Sequence, residues 1–166
     1  MTDAPDSTIF RRRTRVRAPF ADVWEFHSTA GGLEALTPAP LNLQVKSITG
    51  PSGESNPEIL EAGSTLELSI QPLGIGPRQR WVSLIETRSE RDGSASFRDV
   101  MTEGPFPEWT HTHSFFADAG ETIVDDRVEY RLPGGRPGAL LSPLAWPGFE
   151  AMFRYRHRRT KSILED

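Results

Sequence analysis

The chain has no cysteine among its 166 residues. This absence excludes disulfide bonds, thiol catalysis and cysteine-ligated metals. Long apolar runs are missing too: none approaches the roughly 18 residues of a membrane-spanning helix, so we expect no stable insertion into a membrane. The opening segment "MTDAPDSTIF" is polar and acidic and lacks the apolar stretch of a signal peptide. We therefore expect a cytoplasmic protein.

Positive charge is not in excess either. The formal net charge is −4, so we expect no general attraction to nucleic acid. Two short runs are nevertheless basic, "RRRTRVR" over residues 11–17 and "RYRHRRTK" over residues 154–161. Neither run has aromatic residues interleaved in a way that suits base stacking. We interpret them as the solvated faces of a strand and of a helix, with phosphate binding as the alternative.

The pattern of apolar residues predicts one strand, two short helices, about six further strands and a long helix over residues 137–166. Asp92-Gly93 is a strong signal for a hairpin turn and Ala119-Gly120 a weaker one. Because the strands follow one another with short turns, they predict an antiparallel sheet on which the long helix buries its apolar face. The length suits one domain over residues 1–166, with residues 1–7 as a loose tail. The predicted fold class is α+β, with a curved antiparallel sheet of about seven strands, two short helices and one long C-terminal helix over a cavity.

Two of the four histidines lie in the segment "EWTHTHSFF" and share one face of a predicted strand. Trp109, His111, His113 and Phe115 alternate there with threonine and serine. Burying the aromatic side chains gains more free energy than burying the hydroxyls, so we expect both histidines to face the interior. By the same reasoning the next strand has an inward face, made of Val124, Asp126, Val128 and Tyr130.

The turn between these two strands decides which histidine meets Asp126. A two-residue turn at Ala119-Gly120 places His113 opposite Asp126, whereas a four-residue loop places His111 there. Directly opposed side chains have Cβ atoms about 4.5–5.5 Å apart, so Asp126 should contact one of the two. Three interpretations stay open: a polar network that ties the sheet together, a polar anchor at the end of an apolar cavity, and acid–base chemistry by His111, His113 or Asp126.

A metal site is a further alternative, because His-x-His with Asp126 or Asp99 supplies three ligands. No second histidine pair stands nearby, and His27 and His157 fall on predicted helices, so we expect no metal. Pairing through the Asp92-Gly93 turn places Asp99 opposite Glu86. Whether Asp99 faces the interior is left open.

Several segments resemble one family. "RAPFADVWEF" near the start is similar to the opening of the SRPBCC superfamily (START-like, polyketide cyclase/dehydrase-like). Residues 97–115, "FRDVMTEGPFPEWTHTHSF", resemble the subgroup pattern F-x-D-x-x-x-x-G-P-F-x-x-W-x-H-x-H-x-F. "DRVEYRLP" and "MFRYRHRRTKSIL" are similar to the strand and helix that follow it. The resemblance extends over about residues 8–165.

This resemblance implies the helix-grip fold and an internal cavity for an apolar or amphipathic small molecule that is lipid-, polyketide- or aromatic-like. We accordingly expect a bacterial-type binding protein without a cofactor, monomeric or homodimeric. The alternatives are a cyclase or dehydratase that uses a cavity histidine as acid or base, and an interaction module whose cavity is filled. Phe106 could cap the cavity or fill the core. The predicted ligand-contacting residues are Asp99, Phe106, Trp109, His111, His113, Phe115, Asp126, Val128, Tyr130, Phe149 and Phe153.

Overall fold

The computed structural model describes residues 7–165. Seven antiparallel strands form one sheet in the spatial order β1-β7-β6-β5-β4-β3-β2, which confirms the predicted fold class. Apart from the pairing of β1 with β7, neighbours in the sheet are neighbours in sequence. The strands are β1 (Thr8–Val16), β2 (Gln44–Thr49), β3 (Thr65–Ile70), β4 (Gln79–Arg91), β5 (Ser94–Glu103), β6 (Glu108–Asp118) and β7 (Glu121–Arg131).

Four α-helices accompany the sheet: α1 (Phe20–His27), α2 (Ala30–Ala35), α3 (Gly135–Leu141) and α4 (Trp146–Leu164). The helix predicted over residues 137–166 begins at Gly135 and is interrupted by a 3-10 segment, Ser142–Ala145, with Pro143 at its start. Proline disrupts the α-helical hydrogen-bond ladder but suits the first turn of a new helix, where Pro147 stands. Within residues 7–165, no helix combines the length and the apolar character needed to cross a membrane.

Strand β1 alternates as predicted. Phe10 and Val16 are fully buried, while the side chains of Arg11, Arg13 and Arg15 lie on the outer face. Arg11 and Arg13 both contact the carboxylate of Asp125 on β7, at 2.6 and 2.5 Å from its Oδ2. The first basic run is therefore a solvated face that is paired with acidic residues. Of the predicted tail, residues 1–6 lie outside the described part of the chain; Ser7 donates a hydrogen bond to Glu108.

The β6–β7 hairpin has the register that a two-residue turn predicts. Trp109 pairs with Tyr130 and His113 with Asp126. The turn residues Ala119 and Gly120 have φ angles of 51° and 85°. Positive φ at both central residues matches the turn to the twist of the flanking strands.

The β4–β5 pairing departs from prediction. The register follows the Asp92-Gly93 turn as far as Thr87 and Arg98, then shifts, so that Asp99 lies opposite Ile85 and not Glu86. The prediction was wrong because a β-bulge at Glu86 adds one residue to β4, which leaves the alternation of β5 unchanged. Glu86 forms an ion pair with Arg98.

Two buried apolar clusters hold the layers together. One packs α1 and Trp24 against the sheet around Leu66, Ile85 and Phe115. The other packs α4 against β1 and β7 and consists of Phe10, Val128, Tyr130, Phe149 and Phe153. Because α4 lies directly on β1 and β7, space between the layers is left over the other strands.

Candidate functional site

A cavity of about 290 Å³ lies between the sheet and the helices. Its wall is mostly apolar and is contributed by the end of α1, by α2, by strands β3 to β6, by α4 and by the segments between them. Large apolar side chains in it include Leu36, Leu60, Leu66, Leu68, Trp81 and Ile85. The cavity is therefore an unfilled apolar space inside the fold.

Seven of the predicted ligand-contacting residues lie in this wall. Phe106 is among them: it is half-buried, with its ring centroid 5.2 Å from that of Trp109, so it lines the cavity. Asp99, whose orientation the sequence left open, faces the cavity with its neighbours Phe97 and Met101. The seven are Asp99, Phe106, Trp109, His111, His113, Phe149 and Phe153.

The other four, Phe115, Asp126, Val128 and Tyr130, are inward-facing as predicted but do not belong to the wall. Val128 and Tyr130 are covered by α4, and the Tyr130 hydroxyl donates a hydrogen bond to the Ser142 carbonyl at 2.8 Å. Phe115 is covered by α1. Facing inward is a property of the strand, whereas reaching the cavity depends on which helix covers it.

Asp126 lies behind the wall at the centre of a buried polar cluster. Its Oδ1 is 2.9 Å from His111 Nε2 and 3.0 Å from His113 Nδ1, and its Oδ2 is 2.6 Å from His157 Nε2. The sequence predicted contact with one histidine of β6; the structure shows contact with both, and with a third from α4. Burial raises the pKa of Asp126, but these histidine contacts outweigh it and hold the pKa well below the usual range. Asp126 is thus an ionised acceptor.

His157 and Arg156 were missed by the sequence analysis, which assigned residues 154–161 to a solvated helix face. That interpretation holds for Arg154, Arg158 and Arg159 but is wrong for these two. His157 is buried and Arg156 lines the cavity. The available signal was the four-residue spacing of Phe149, Phe153 and His157, which places the histidine on the apolar stripe of α4.

A second carboxylate stands on the cavity side of the two β6 histidines. Asp99 Oδ2 is 3.7 Å from His111 Nδ1 and 3.4 Å from His113 Nε2. Ser83 donates a hydrogen bond of 3.2 Å to the other oxygen of Asp99. The two imidazole rings are 3.6 Å apart between centroids, and Phe97 stacks on His113. The rings therefore lie between Asp99 and Asp126.

The pKa values of the two histidines are shifted in opposite directions. Burial lowers the pKa of His111, and the adjacent His113 lowers it further, against the opposing effect of Asp126. Burial also lowers the pKa of His113, but its contacts with Asp126 and Asp99 outweigh burial and raise that pKa above its usual value. The pKa of His111 is therefore lowered and that of His113 raised, although the two rings are in contact.

Arg156 adds a positive charge to the cavity wall. Burial lowers the pKa of its guanidinium, while the charges of Asp126 and Asp99 raise it. Its guanidinium carbon is 5.8 Å from the centre of the Phe153 ring. Among residues 7–165, no carboxylate lies within ion-pair distance of it. The wall thus combines an unpaired cation with the histidine–aspartate cluster.

Comparison with known proteins identifies the fold. Neither a family model nor a curated protein sequence matches the chain. Among solved structures, a START superfamily protein from Mycobacterium smegmatis is 11% identical with a TM-score of 0.63, covering 93% of this chain and 98% of that chain. Norcoclaurine synthase from Thalictrum flavum, in complex with dopamine and hydroxybenzaldehyde, is 17% identical with a TM-score of 0.62, covering 95% and 86%. The protein TTHA0849 from Thermus thermophilus is 18% identical with a TM-score of 0.63, covering 94% and 99%.

At these identities the likeness establishes the fold alone. The chain has the helix-grip fold of START-like and Bet v 1-like proteins, which confirms the sequence resemblance at the level of the fold. Fold does not imply one activity, so function has to be argued from the cavity and its side chains.

Proposed function

We propose that the protein binds a small amphipathic molecule in the internal cavity, with its apolar body against the leucine-rich wall and its polar group at the histidine–aspartate cluster. The observation that carries this proposal is the wall itself. It is apolar over most of its area, and several of its polar groups, Ser83, Asp99, His111 and His113, converge at one place. Apolar cavities with a few convergent polar groups are typical ligand sites.

The size of the cavity supports a compact ligand. Its volume of about 290 Å³ is just below the roughly 300–1,000 Å³ found for ligand pockets. An apolar cavity of about 150 Å³ is enough for benzene, so this one suits a molecule of one or two rings better than a long-chain lipid. The complex of norcoclaurine synthase with dopamine and hydroxybenzaldehyde agrees with single-ring ligands in this fold. An aromatic or small polyketide-like ligand is therefore our first choice.

The charge of the wall supports an acidic oxygen on that ligand. Arg156 has no ion-pair partner in the described part of the chain, and a guanidinium pairs well with a carboxylate or phenolate. Because Arg156 is half-buried, an acidic oxygen on the ligand would stabilise its charge more than it would stabilise a fully exposed guanidinium. The interaction-module alternative stays a prediction: it requires side chains to fill the space between sheet and helices, and a volume just below the range of ligand pockets favours it.

The test uses 2-naphthoic acid and naphthalene as matched probes, with and without a carboxylate. Ile85→Phe fills the cavity from β4 and should weaken both probes at least tenfold, whereas Leu84→Phe, one residue away on the other face of the strand, should leave them unchanged. Arg156→Met should weaken the acid by about 1–3 kcal/mol, or roughly 5- to 150-fold, and spare naphthalene.

Calorimetric titration measures the affinities of both probes for each protein, and a thermal melt verifies that each variant is folded. Equal binding by the wild-type protein and a folded Ile85→Phe variant would place the ligand outside the cavity. If Arg156→Met weakens the binding of both probes equally, the claim that the ligand carries an acidic oxygen is wrong.

The acid–base alternative has one observation in its favour and stays a prediction. His111 Nε2 is held by Asp126, and its Nδ1 faces the cavity with a lowered pKa, which suits a general base. The test reaction is the ring opening of 5-nitrobenzisoxazole, in which a base removes the ring C–H proton and the N–O bond breaks. A metal-free preparation that catalyses this reaction, and a His111→Leu variant that does not, would support the alternative. No acceleration over free imidazole would count against it.

A further inference from the structure

We infer that the polar end of the cavity is a site for a divalent transition-metal ion, with His111 Nδ1, His113 Nε2 and Asp99 Oδ2 as its ligands. From the sequence we expected no metal, because no second histidine pair stands near His111 and His113, although Asp99 or Asp126 offered a third ligand. The structure brings one ligand atom from each of the three residues within 4.8 Å of the others. These residues are adjacent because Asp99 on β5 pairs directly with His111 on β6.

The distances from Asp126 and from Asp99 to the histidine nitrogens indicate different roles for the two carboxylates. Asp126 lies 2.6–3.0 Å from its three histidine nitrogens, which is the range of N–H···O hydrogen bonds. Asp99 Oδ2 lies 3.4 and 3.7 Å from His113 and His111, which is longer than such bonds. Two ligands bonded to one tetrahedral zinc at about 2.0–2.1 Å stand about 3.4 Å apart. The distances from Asp99 Oδ2 to the two histidine nitrogens are thus those expected if all three atoms bind one metal ion.

The arrangement behind the ligands matches this assignment. Asp126 Oδ1 lies 2.9 Å from His111 Nε2, and the other nitrogen of that ring, Nδ1, lies on the side of Asp99. Ser83 holds the second oxygen of Asp99. Metal-bound histidines characteristically donate their other N–H to a carboxylate, which sets the tautomer and the ring orientation. Asp126 and Ser83 are therefore positioning residues for the three ligands.

The three ligand atoms indicate which metal ions suit the site and how many coordination positions stay open. Two imidazole nitrogens and one carboxylate oxygen suit zinc or ferrous iron, and three protein ligands leave at least one coordination position open. All three ligands line the cavity, so the open position faces the space that holds the proposed ligand. An acidic oxygen of that ligand can occupy it. Metal binding itself does not depend on the proposed function.

The experiment uses full-length protein purified without a nickel resin and stripped with a chelator, and titrates it with Co²⁺. One equivalent should bind with micromolar or tighter affinity and produce the visible absorption of low-coordinate cobalt, which one equivalent of Zn²⁺ then abolishes. Asp99→Asn, a nearly isosteric change, should weaken binding at least a hundredfold and lose the spectrum. Asp118→Asn makes the same change at an exposed carboxylate of β6 that does not line the cavity, and should keep both.

Each other outcome overturns the inference. The absence of a cobalt spectrum in the folded wild-type protein refutes the site. Stoichiometric binding that survives both Asp99→Asn and His111→Leu places the metal elsewhere. If cobalt fails to bind while 2-naphthoic acid still binds, the metal site is refuted and the proposed ligand function stands. Circular dichroism of the metal-free variants separates lost binding from lost folding.

Discussion

At the scale of the residue, all four histidines are buried, and they are accommodated in two different ways. His111, His113 and His157 surround Asp126, and each places a ring nitrogen within 3.0 Å of its carboxylate. His27 has no carboxylate in contact; its Nδ1 donates to the Val23 carbonyl at 2.8 Å. A buried imidazole without an anionic partner is held neutral, because burial penalises the charged form.

His27 should make the protein less stable in mild acid. Burial lowers its pKa to about 4, compared with about 6.5 in an unfolded chain. Between these values the unfolded chain binds a proton at this position and the folded chain does not, so stability falls as the pH decreases from 6.5 towards 4. From pH 7 to pH 4.5 the wild-type protein should lose about 2–3 kcal/mol more than His27→Leu, measured by urea unfolding at both pH values.

The comparison with His27→Leu isolates this contribution from the other titrating groups. His113 has the opposite sign: its pKa is raised, so its stabilisation is complete below pH 6.5 and declines as the pH rises through the folded-state value. The raw profile of the wild-type protein therefore mixes both effects. Parallel pH profiles for the two proteins would mean that His27 is charged in the fold.

At the scale of the element, the β6–β7 hairpin shows how a local turn organises the site. The two-residue turn sets the register that brings His113 opposite Asp126, and it does so with Ala119 at a positive φ of 51°. Left-handed backbone is unfavourable for alanine because its Cβ approaches the following carbonyl, whereas asparagine tolerates it. The positive φ of Ala119 is thus a source of backbone strain at an exposed position, and a substitution can remove it.

Ala119→Asn should consequently stabilise the protein by about 0.5–1 kcal/mol, because it relieves this strain without changing the turn. A thermal melt should show a higher Tm. Ala117→Asn is the matched control: it is exposed on β6 in extended backbone, where asparagine brings no gain. Equal shifts for the two variants would indicate a general surface effect and contradict the turn argument.

At the scale of the whole molecule, one helix stabilises the curved sheet and bounds the cavity. Phe153 of α4 is almost fully buried; its ring centroid lies 5.2 Å from that of Phe10 on β1 and 5.1 Å from that of His111 on β6. One side of the helix therefore packs on the sheet while Met152 and Arg156 face the cavity. The fold and the site share this helix.

Phe153→Asp should destabilise the protein by about 4 kcal/mol or more, because it places an unpaired charge among aromatic rings. Tyr155→Asp, on the exposed face of the same helix, should change the free energy of unfolding by less than about 1 kcal/mol. Urea unfolding measures both. A folded Phe153→Asp variant of nearly normal stability would mean that α4 does not pack on the sheet through this face.

The sequence by itself determined the order of the elements and the inward faces of β6 and β7, and it reduced the register between these strands to two alternatives. Each of these follows from local chemistry. Strand alternation depends on neighbours two residues apart, and hairpin register depends on the length of one turn. The placement of Trp109, His111 and His113 inside the fold, and of Asp126 beside the histidines, therefore needed no knowledge of distant parts of the chain.

Only the tertiary structure decided which inward-facing residues reach the cavity. The bulge at Glu86 sets the partner of Asp99 on β4, and the rotation of α4 brings His157 to Asp126 and Arg156 to the wall. The position of the same helix over β1 and β7 covers Val128 and Tyr130. These outcomes depend on how a whole helix sits on a curved sheet. That position results from the packing of many side chains at once and leaves no periodic signal in the sequence.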